Sequence, residues 1–304
     1  MIYPREELWK VFKQRVITAV ILVLGFLGLL MSLSALHFSL VVAPIVLLAG
    51  WEWSNLMGLK ATRHKLVYLA LLALTLVLAA VGLSLFGTFD GSGALNSSGT
   101  LNSSGSFNIS LAQNLCLAAS VLWAVIFLWV QGYPSSAILW SPRPILGLLG
   151  LLLLSLTWVA IALIVHLPHG AWLLLFAVVV VALADIGGYV AGNLFGKHKL
   201  AVSVSPGKTW EGFSGGILLQ CILIAALSPF MPEKITTTML VALVIPVSLY
   251  SVLGDLFESM VKRHSGVKDS GNILPGHGGV LDRIDGLIAA LPLFALLFLL
   301  LSPF

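Results

Sequence analysis

Residues 145–165 read ILGLLGLLLLSLTWVAIALIV and contain no charged side chain. An apolar run of this length can cross the roughly 30 Å hydrocarbon core of a bilayer as one helix. The strands of a membrane barrel would instead alternate apolar and polar residues over shorter segments. The same reading along the whole chain gives the runs 16–36, 38–53, 66–86, 111–130, 145–165, 171–192, 212–230, 237–256 and 284–301. The sequence therefore predicts an all-α, polytopic integral membrane protein with about nine transmembrane helices, of which the second is short enough to be tilted or re-entrant.

The composition excludes an ordinary soluble domain. Of the 304 residues, 59% are hydrophobic and 9% are charged, whereas soluble domains carry roughly 25% charged residues. The net charge of +4 is small and dispersed, so no nucleic-acid partner is expected. Cys116 and Cys221 each lie inside an apolar run without a neighbouring cysteine, so a disulfide framework is not expected either.

The positive charges predict the orientation. If the N-terminus is cytoplasmic and the sides alternate, every Lys and Arg except Lys234 falls on a cytoplasmic segment. The basic residues before the first span resemble the start of a signal peptide, but no convincing cleavage site follows. We therefore expect the first span to remain as a membrane anchor.

The polar residues divide the chain into two parts. Residues 1–170 are expected to form an N-terminal scaffold of about five helices, with a flexible outer loop near 88–110. Residues 171–304 are expected to form a catalytic part of about four helices, with cytoplasmic loops 195–211 and 257–283. This second part holds most of the acidic residues and most of the Gly, Lys, Ser and His motifs.

The outer loop is a low-complexity segment. Residues 91–108 repeat the sequence Leu-Asn-Ser-Ser-Gly and carry Asn-x-Ser sequons at Asn96, Asn102 and Asn108. These would be glycosylation sites only in a eukaryotic host. Since the segment has little apolar surface to bury, a flexible spacer is the favoured interpretation.

Two further features of the second part are candidates for function. Asp185 lies inside an apolar run beside Gly187 and Gly188, and a carboxylate at membrane depth indicates either function or a polar contact between helices. The loop 195–211 contains small residues and Lys208 ahead of a span, which resembles a phosphate cradle at a helix start. A basic loop that touches anionic lipid is the alternative.

Residues 255–285 carry the strongest signal. If the eighth span continues as a helix, Asp255, Ser259 and Lys262 share one face. Asp282 and Asp285 share a face at the start of the ninth span. The glycine-rich turn between them contains His277, which is the histidine that we expect to act. Sites rich in carboxylates and without thiols favour Mg²⁺ over Zn²⁺.

These motifs resemble one family. Ser259-x-x-Lys262-Arg263, Lys268-Asp269 and Pro275-Gly276-His277-Gly278-Gly279-x-x-Asp282-Arg283-x-Asp285 are similar to the signature of the CDP-diacylglycerol synthases, also called phosphatidate cytidylyltransferases, of the bacterial type. Residues 197–200 and 204–213, and Asp185 with Gly188 and Tyr189, add to the resemblance. It is dense from about residue 180 to 290 and only general before that, for example at Trp51-Glu52-Trp53.

The resemblance implies a reaction and its requirements. CTP and phosphatidate would give CDP-diacylglycerol and pyrophosphate in phospholipid biosynthesis, with Mg²⁺ required. It also implies a homodimer, a metal pair that includes K⁺, and a place in the bacterial inner membrane with the site facing the cytoplasm.

The resemblance, together with the residue types, also implies roles. Mg²⁺ is assigned to Asp255 and Asp282. Catalytic roles fall to Asp255, Asp282, Lys262, Lys208 and His277. Contacts to substrate fall to Ser205, Lys208, Ser259, Lys262, Arg263, Lys268, Gly278, Gly279 and Arg283. Supporting positions around the metal and the cations fall to Asp185, Asp269 and Asp285.

Two other functions compete with this interpretation. An ion-coupled secondary transporter would also place Asp185 and Asp255 in the membrane, but the polar groups cluster on one side and no repeat of two halves is evident. A CDP-alcohol phosphotransferase would carry a four-aspartate pattern that is absent here.

Overall fold

The computed structural model describes residues 5–86, 107–232, 234–274 and 278–301, with side chains in the first helix from residue 17 onward. The helices are α1 (Arg5–Ser32), α2 (Ala35–Leu56), α3 (Thr62–Gly82), α4 (Ile109–Gln131), α5 (Ala137–Trp140), α6 (Arg143–His166), α7 (Gly170–Phe195), α8 (Trp210–Leu227), α9 (Thr237–His264) and α10 (Leu281–Leu301). A two-stranded antiparallel hairpin, β1 (Lys199–Ala201) and β2 (Ser205–Thr209), precedes α8.

The all-α, polytopic architecture is confirmed. Within the described residues, eight helices are long and apolar enough to cross a membrane: α2, α3, α4, α6, α7, α8 with its short 3₁₀ extension, α9 and α10. In α1, the stretch Ile17–Ser32 is apolar and shorter than these spans. The count of nine spans and the cytoplasmic N-terminus stay predictions. The second span is not short, because α2 has 22 residues and continues through Pro44.

The centre of the bundle consists of α6, α9 and α10. In α6, 67% of the most apolar stretch is buried, compared with 17% in α8. Helix α10 packs against α9 and α7 and also against α4 and α6. The last helix therefore lies among helices of both halves, and the division of the chain at residue 170 stays a prediction.

Helices α7 and α8 pack backbone to backbone. A Cβ added to Gly187 would lie 2.6 Å from the Gly215 carbonyl oxygen, and one added to Gly216 would lie 2.9 Å from the Ala184 carbonyl oxygen. Such distances leave no room for a side chain, so glycine is what permits this close contact. The glycines after Asp185 thus serve helix packing, while Asp185 itself lines a cavity.

The two loops expected at 195–211 and 257–283 both contain regular structure. Residues 199–209 form the β-hairpin, with Pro206 inside β2, and a phosphate-binding role for this segment stays a prediction. Thr209 then caps α8 by accepting a hydrogen bond from the Gly212 amide. The second loop begins at residue 265 and not at 257, because α9 continues to His264 with Lys262, Arg263 and His264 in its last turn. Cations at a helix C-terminus are stabilised by the helix dipole.

The predicted outer loop near 88–110 lies mostly in residues 87–106, outside the described residues, together with Asn96 and Asn102. Asn108 is described, and its side chain caps α4 by accepting a hydrogen bond from the Leu111 amide at 3.0 Å. A cap is thus the structural role of this third sequon asparagine.

Candidate active site

A cavity of about 280 Å³ lies between α7, α8, α9 and the hairpin. Asp185 of α7, Lys208 of β2 and Asp255 of α9 line it, together with glycines of α7 and α8. The small residues let the helix backbones form the wall, so the charged side chains have room to face the cavity. Three segments that are distant in the sequence thereby contribute to one polar chamber.

Lys208 and Asp255 form the central ion pair. Lys208 Nζ lies 2.7 Å from Asp255 Oδ2, with side-chain exposures of 24% and 32%. The pair is therefore accessible from the cavity and is not sealed in the core. One turn along α9, Ser259 Oγ donates a hydrogen bond to Asp255 Oδ1 at 3.3 Å. This contact confirms the predicted helical face of Asp255 and Ser259.

More acidic groups surround this pair. Asp185 interacts electrostatically with Asp255, Lys208 and Arg283. Asp285, at the start of α10, interacts with both Asp255 and Asp185. Carboxylates from three helices thus share one electrostatic environment. Because like charges repel at short range, such a group favours the binding of a cation.

A second cluster lies where α9 ends and α10 begins. Lys262 Nζ lies 2.7 Å from Asp282 Oδ1 and 3.4 Å from Glu258 Oε1. Asp282 also accepts hydrogen bonds from the Ser270 amide at 3.0 Å and the Gly279 amide at 2.8 Å. This carboxylate therefore holds the loop to the helix start. Asp282 is not among the residues that line the cavity of Asp255.

Glu52 and Glu258 belong to this cluster, and the sequence patterns assigned a site role to neither. Glu52 makes the more extensive contacts. Its side chain, on α2, is buried, and it accepts hydrogen bonds from the Val280 amide at 3.0 Å, the Leu281 amide at 2.8 Å and Ser270 Oγ at 3.1 Å. The available signal was a carboxylate within the apolar run 38–53, which is costly unless it has partners. Its partners lie more than 200 residues away, so no local pattern indicated them.

The remaining predicted residues lie around these two clusters. Arg263, Lys268, Asp269 and Arg283 are exposed, and Ser205 is partly exposed at the start of β2. Gly278 has φ +82°, which glycine adopts readily, and a Cβ there would lie 2.8 Å from Asp282 Oδ2. His277 lies outside the described residues. The structure thus brings Asp185, Lys208 and Asp255 together, and separately Lys262 with Asp282.

The cavity suits a hard divalent cation. Its ionisable lining is carboxylate, ammonium and the Tyr189 phenol, without a thiol or an imidazole among the described residues. Within those same residues, no group of three or more His, Cys, Asp or Glu side chains is arranged to hold a metal. A cation such as Mg²⁺ commonly uses only one or two carboxylates and completes its shell with water and substrate phosphates. The accessible Asp255 fits that type of site.

Comparison with known proteins agrees with this chemistry. A model described as the cytidylyltransferase family matches residues 13–301. A phosphatidate cytidylyltransferase of Pseudomonas aeruginosa is 36% identical over 286 residues, which are 94% of this chain and 96% of that protein. One of Haemophilus influenzae is 35% identical over 294 residues, covering 93% and 97%. One of Staphylococcus saprophyticus is 48% identical over 129 residues, covering 42% and 50%.

Proposed function

The chain belongs to the cytidylyltransferase family, and we propose that it carries out the reaction for which its relatives are named, at the cavity of Asp185, Lys208 and Asp255. It is a nucleotidyltransferase embedded in a membrane by multiple helices, and its substrates are CTP and phosphatidate. The product is CDP-diacylglycerol. The observation that carries the site is the 2.7 Å pair between Lys208 and Asp255, because it joins the two polar motifs of the catalytic part.

The reaction requires two polyanions to come together. A phosphate oxygen of phosphatidate forms a bond to the α-phosphorus of CTP, and the bond from that phosphorus to the oxygen of the β-phosphate breaks, which releases pyrophosphate. A phosphate monoester is largely ionised near pH 7, so no strong general base is needed. The protein must therefore neutralise charge and align the reactants, as in other phosphoryl transfers.

We assign a divalent cation, Mg²⁺, to Asp255, with Asp282 as the second ligand predicted from the sequence. When bound, such a cation would neutralise phosphate charge and polarise the α-phosphorus. Each of these carboxylates is paired with a lysine, Asp255 with Lys208 and Asp282 with Lys262. A cation held by these carboxylates would compete with their lysines, so the Lys208 and Lys262 ammonium groups would become available to phosphate oxygens.

The exposed cations supply the rest of the phosphate contacts. Arg263, Lys268 and Arg283 lie at the ends of α9 and α10, close to the loop that carries Gly278 and Gly279. We propose that they guide the triphosphate and the lipid phosphate toward the cavity, and that His277 contacts the triphosphate. A location in the inner membrane with the site facing the cytoplasm, a homodimer and a second cation, K⁺, stay predictions.

The test is a reaction with purified protein in detergent. Phosphatidate, labelled CTP and Mg²⁺ should give labelled CDP-diacylglycerol and one pyrophosphate per product, and omission of any one component should stop the reaction. The ion-coupled transporter has no support in the family or its relatives. Solute uptake by proteoliposomes without release of pyrophosphate would nevertheless overturn the proposal.

A further inference from the structure

A second cavity, of about 780 Å³, adjoins the first. Its walls are α4, α9, the hairpin and the start of α8. Leu200, Phe213 and Val252 line both cavities, so these side chains form a shared wall between the two spaces. We call the second space the apolar groove.

The apolar groove has the chemistry of a site for hydrocarbon. Phe127, Leu249 and Leu253 line it along α4 and α9. Its polar groups include Gln131, at the last residue of α4, and Ser203, at the hairpin turn. The groove is therefore polar at the hairpin end and apolar deeper along the helices, which is the polarity of one leaflet of a bilayer.

We propose that the apolar groove binds an acyl chain of the lipid substrate while its phosphate reaches the cavity of Lys208 and Asp255. The inference rests on the proposed function, because the occupant is a lipid whose headgroup must lie in that cavity. Pockets of roughly 300–1,000 Å³ hold most small ligands, and 780 Å³ lies within this range. The shared wall places chain and headgroup on two sides of the same residues, so one lipid can occupy both.

Filling the groove tests the proposal. Ala124 lines the apolar groove from an exposed position on α4, so Ala124→Trp should occupy it without disturbing the core. The variant should raise the KM for a long-chain phosphatidate about tenfold, because removing a few methylene contacts has an effect of this size. Its KM for a water-soluble, short-chain phosphatidate should stay unchanged. Val125→Trp, at a neighbouring position that does not line the groove, is the matched control and should leave both KM values unchanged.

The outcomes separate the two hypotheses. If the wild-type protein releases no pyrophosphate with either lipid, the proposed function is overturned, and so is the proposed role of the apolar groove. An active wild type with equal KM shifts for both lipids, or with none, overturns the groove alone. If Ala124→Trp does not fold, Leu249→Trp on the opposite wall takes its place. A smaller oligomer in either variant would show that the groove is a contact between subunits and would also overturn the proposal.

A separate observation concerns Glu52. Glu52 accepts hydrogen bonds from the Val280 and Leu281 amides at the start of α10. The Ser270 hydroxyl donates a hydrogen bond to Glu52, and the Ser270 amide donates one to Asp282. Both carboxylates therefore hold the same loop from opposite sides. The loop residues Gly271 and Gly279 approach Glu52 so closely that a Cβ on either would collide with its carboxylate.

The geometry points to Glu52 as a positioning residue for the reaction. It acts through Asp282 and the loop and does not line the cavity. A carboxylate at a helix N-terminus is stabilised by the amides and the dipole there. Because α2 lies in the N-terminal half, this contact also links that half of the chain to the loop beside Asp282.

Glu52→Gln tests this role because it keeps the shape and removes the charge. We expect kcat to fall about tenfold and the Mg²⁺ concentration for half-maximal rate to rise, while the KM for phosphatidate stays unchanged. Glu52→Asp, which keeps the charge, should restore part of kcat. A wild-type kcat in Glu52→Gln would overturn the role. So would a loss of activity that follows the loss of folded protein, with an unchanged Mg²⁺ requirement in the fraction that remains.

Discussion

The clusters around Asp255 and Asp282 both contain carboxylates and a lysine. They differ in how many partners the carboxylate oxygens have within the protein. Asp255 faces a cavity, is 32% exposed and has one lysine and one serine as described partners. Asp282 is 5% exposed and is held by Lys262 and two backbone amides. A carboxylate with spare capacity can bind a cation directly, whereas Asp282 must first release Lys262. The first cluster is thus open to exchange of partners, and the second is held more rigidly until its lysine is released.

The largest effect is expected at the exchangeable cluster. Asp255→Asn removes the charge and keeps the shape, so the rate of pyrophosphate release should fall at least about a hundredfold, as for other groups that neutralise a transition state. The thermal midpoint in detergent should change little because the side chain is accessible. An unchanged rate at saturating Mg²⁺ would contradict the assignment of the cation to Asp255.

The two lysines sharpen the comparison. Lys208→Met should lower activity with little loss of stability. Lys262→Met should lower both, because it leaves Glu258 and Asp282 in the interior without their cation. Breaking a buried pair in this way destabilises by about 3–5 kcal/mol. Activity and thermal unfolding measured on the same preparations check the difference, and equal unfolding midpoints for the two variants would show that the clusters do not differ as described.

A smaller effect is expected where the cavity wall depends on glycine. Gly216→Ala places a methyl group 2.9 Å from the Ala184 carbonyl oxygen, so α8 must move away from α7. Overpacking of this kind costs about 1–3 kcal/mol. The KM for CTP should rise a few-fold as the wall shifts. Gly25→Ala, in α1, where a Cβ would meet nothing within 4 Å and which does not line the cavity, is the control. Equal midpoints for the two variants would contradict the close packing.

The smallest effect is expected at the surface of the hairpin. Glu211 accepts hydrogen bonds from the Lys197 and His198 amides and pairs with the His198 ring at 2.6 Å. Exposed pairs contribute little to stability. Glu211→Gln should therefore change kcat by no more than about twofold. A larger loss in steady-state assays would show that the hairpin, and not only Lys208, must be fixed for the reaction.

Local patterns in the sequence predicted local structure well. The apolar runs predicted the helices, and the spacing of Asp255 and Ser259 predicted a shared face because both residues belong to one helix. The Gly-Lys-Thr segment was correctly placed before a helix start. Its pairing into a strand was not predicted, because Pro206 and Gly207 are unfavourable in strands and the partner strand is only three residues long.

Long-range contacts could not be predicted in the same way. Nothing in the spacing of Lys208 and Asp255 indicates that they pair, and the 2.7 Å contact depends on how α7 and α8 close against α9. Glu52 has partners on a loop at the other end of the chain. The prediction that Asp255 and Asp282 share a metal stays a prediction, since the structure gives each a different lysine.

The uninterrupted course of α9 sets the spacing of the chemistry. Asp255 and Lys262 are seven residues apart on this helix, about 10.5 Å along its axis. A continuous helix keeps a fixed rise per residue over this length, so the distance between the two clusters does not depend on the lipids around the bundle. One inserted residue between them would turn Lys262 by about 100° away from Asp282 and lengthen the interval by about 1.5 Å. The rise of a single helix thus sets the distance between the cavity of Asp255 and the cluster of Lys262.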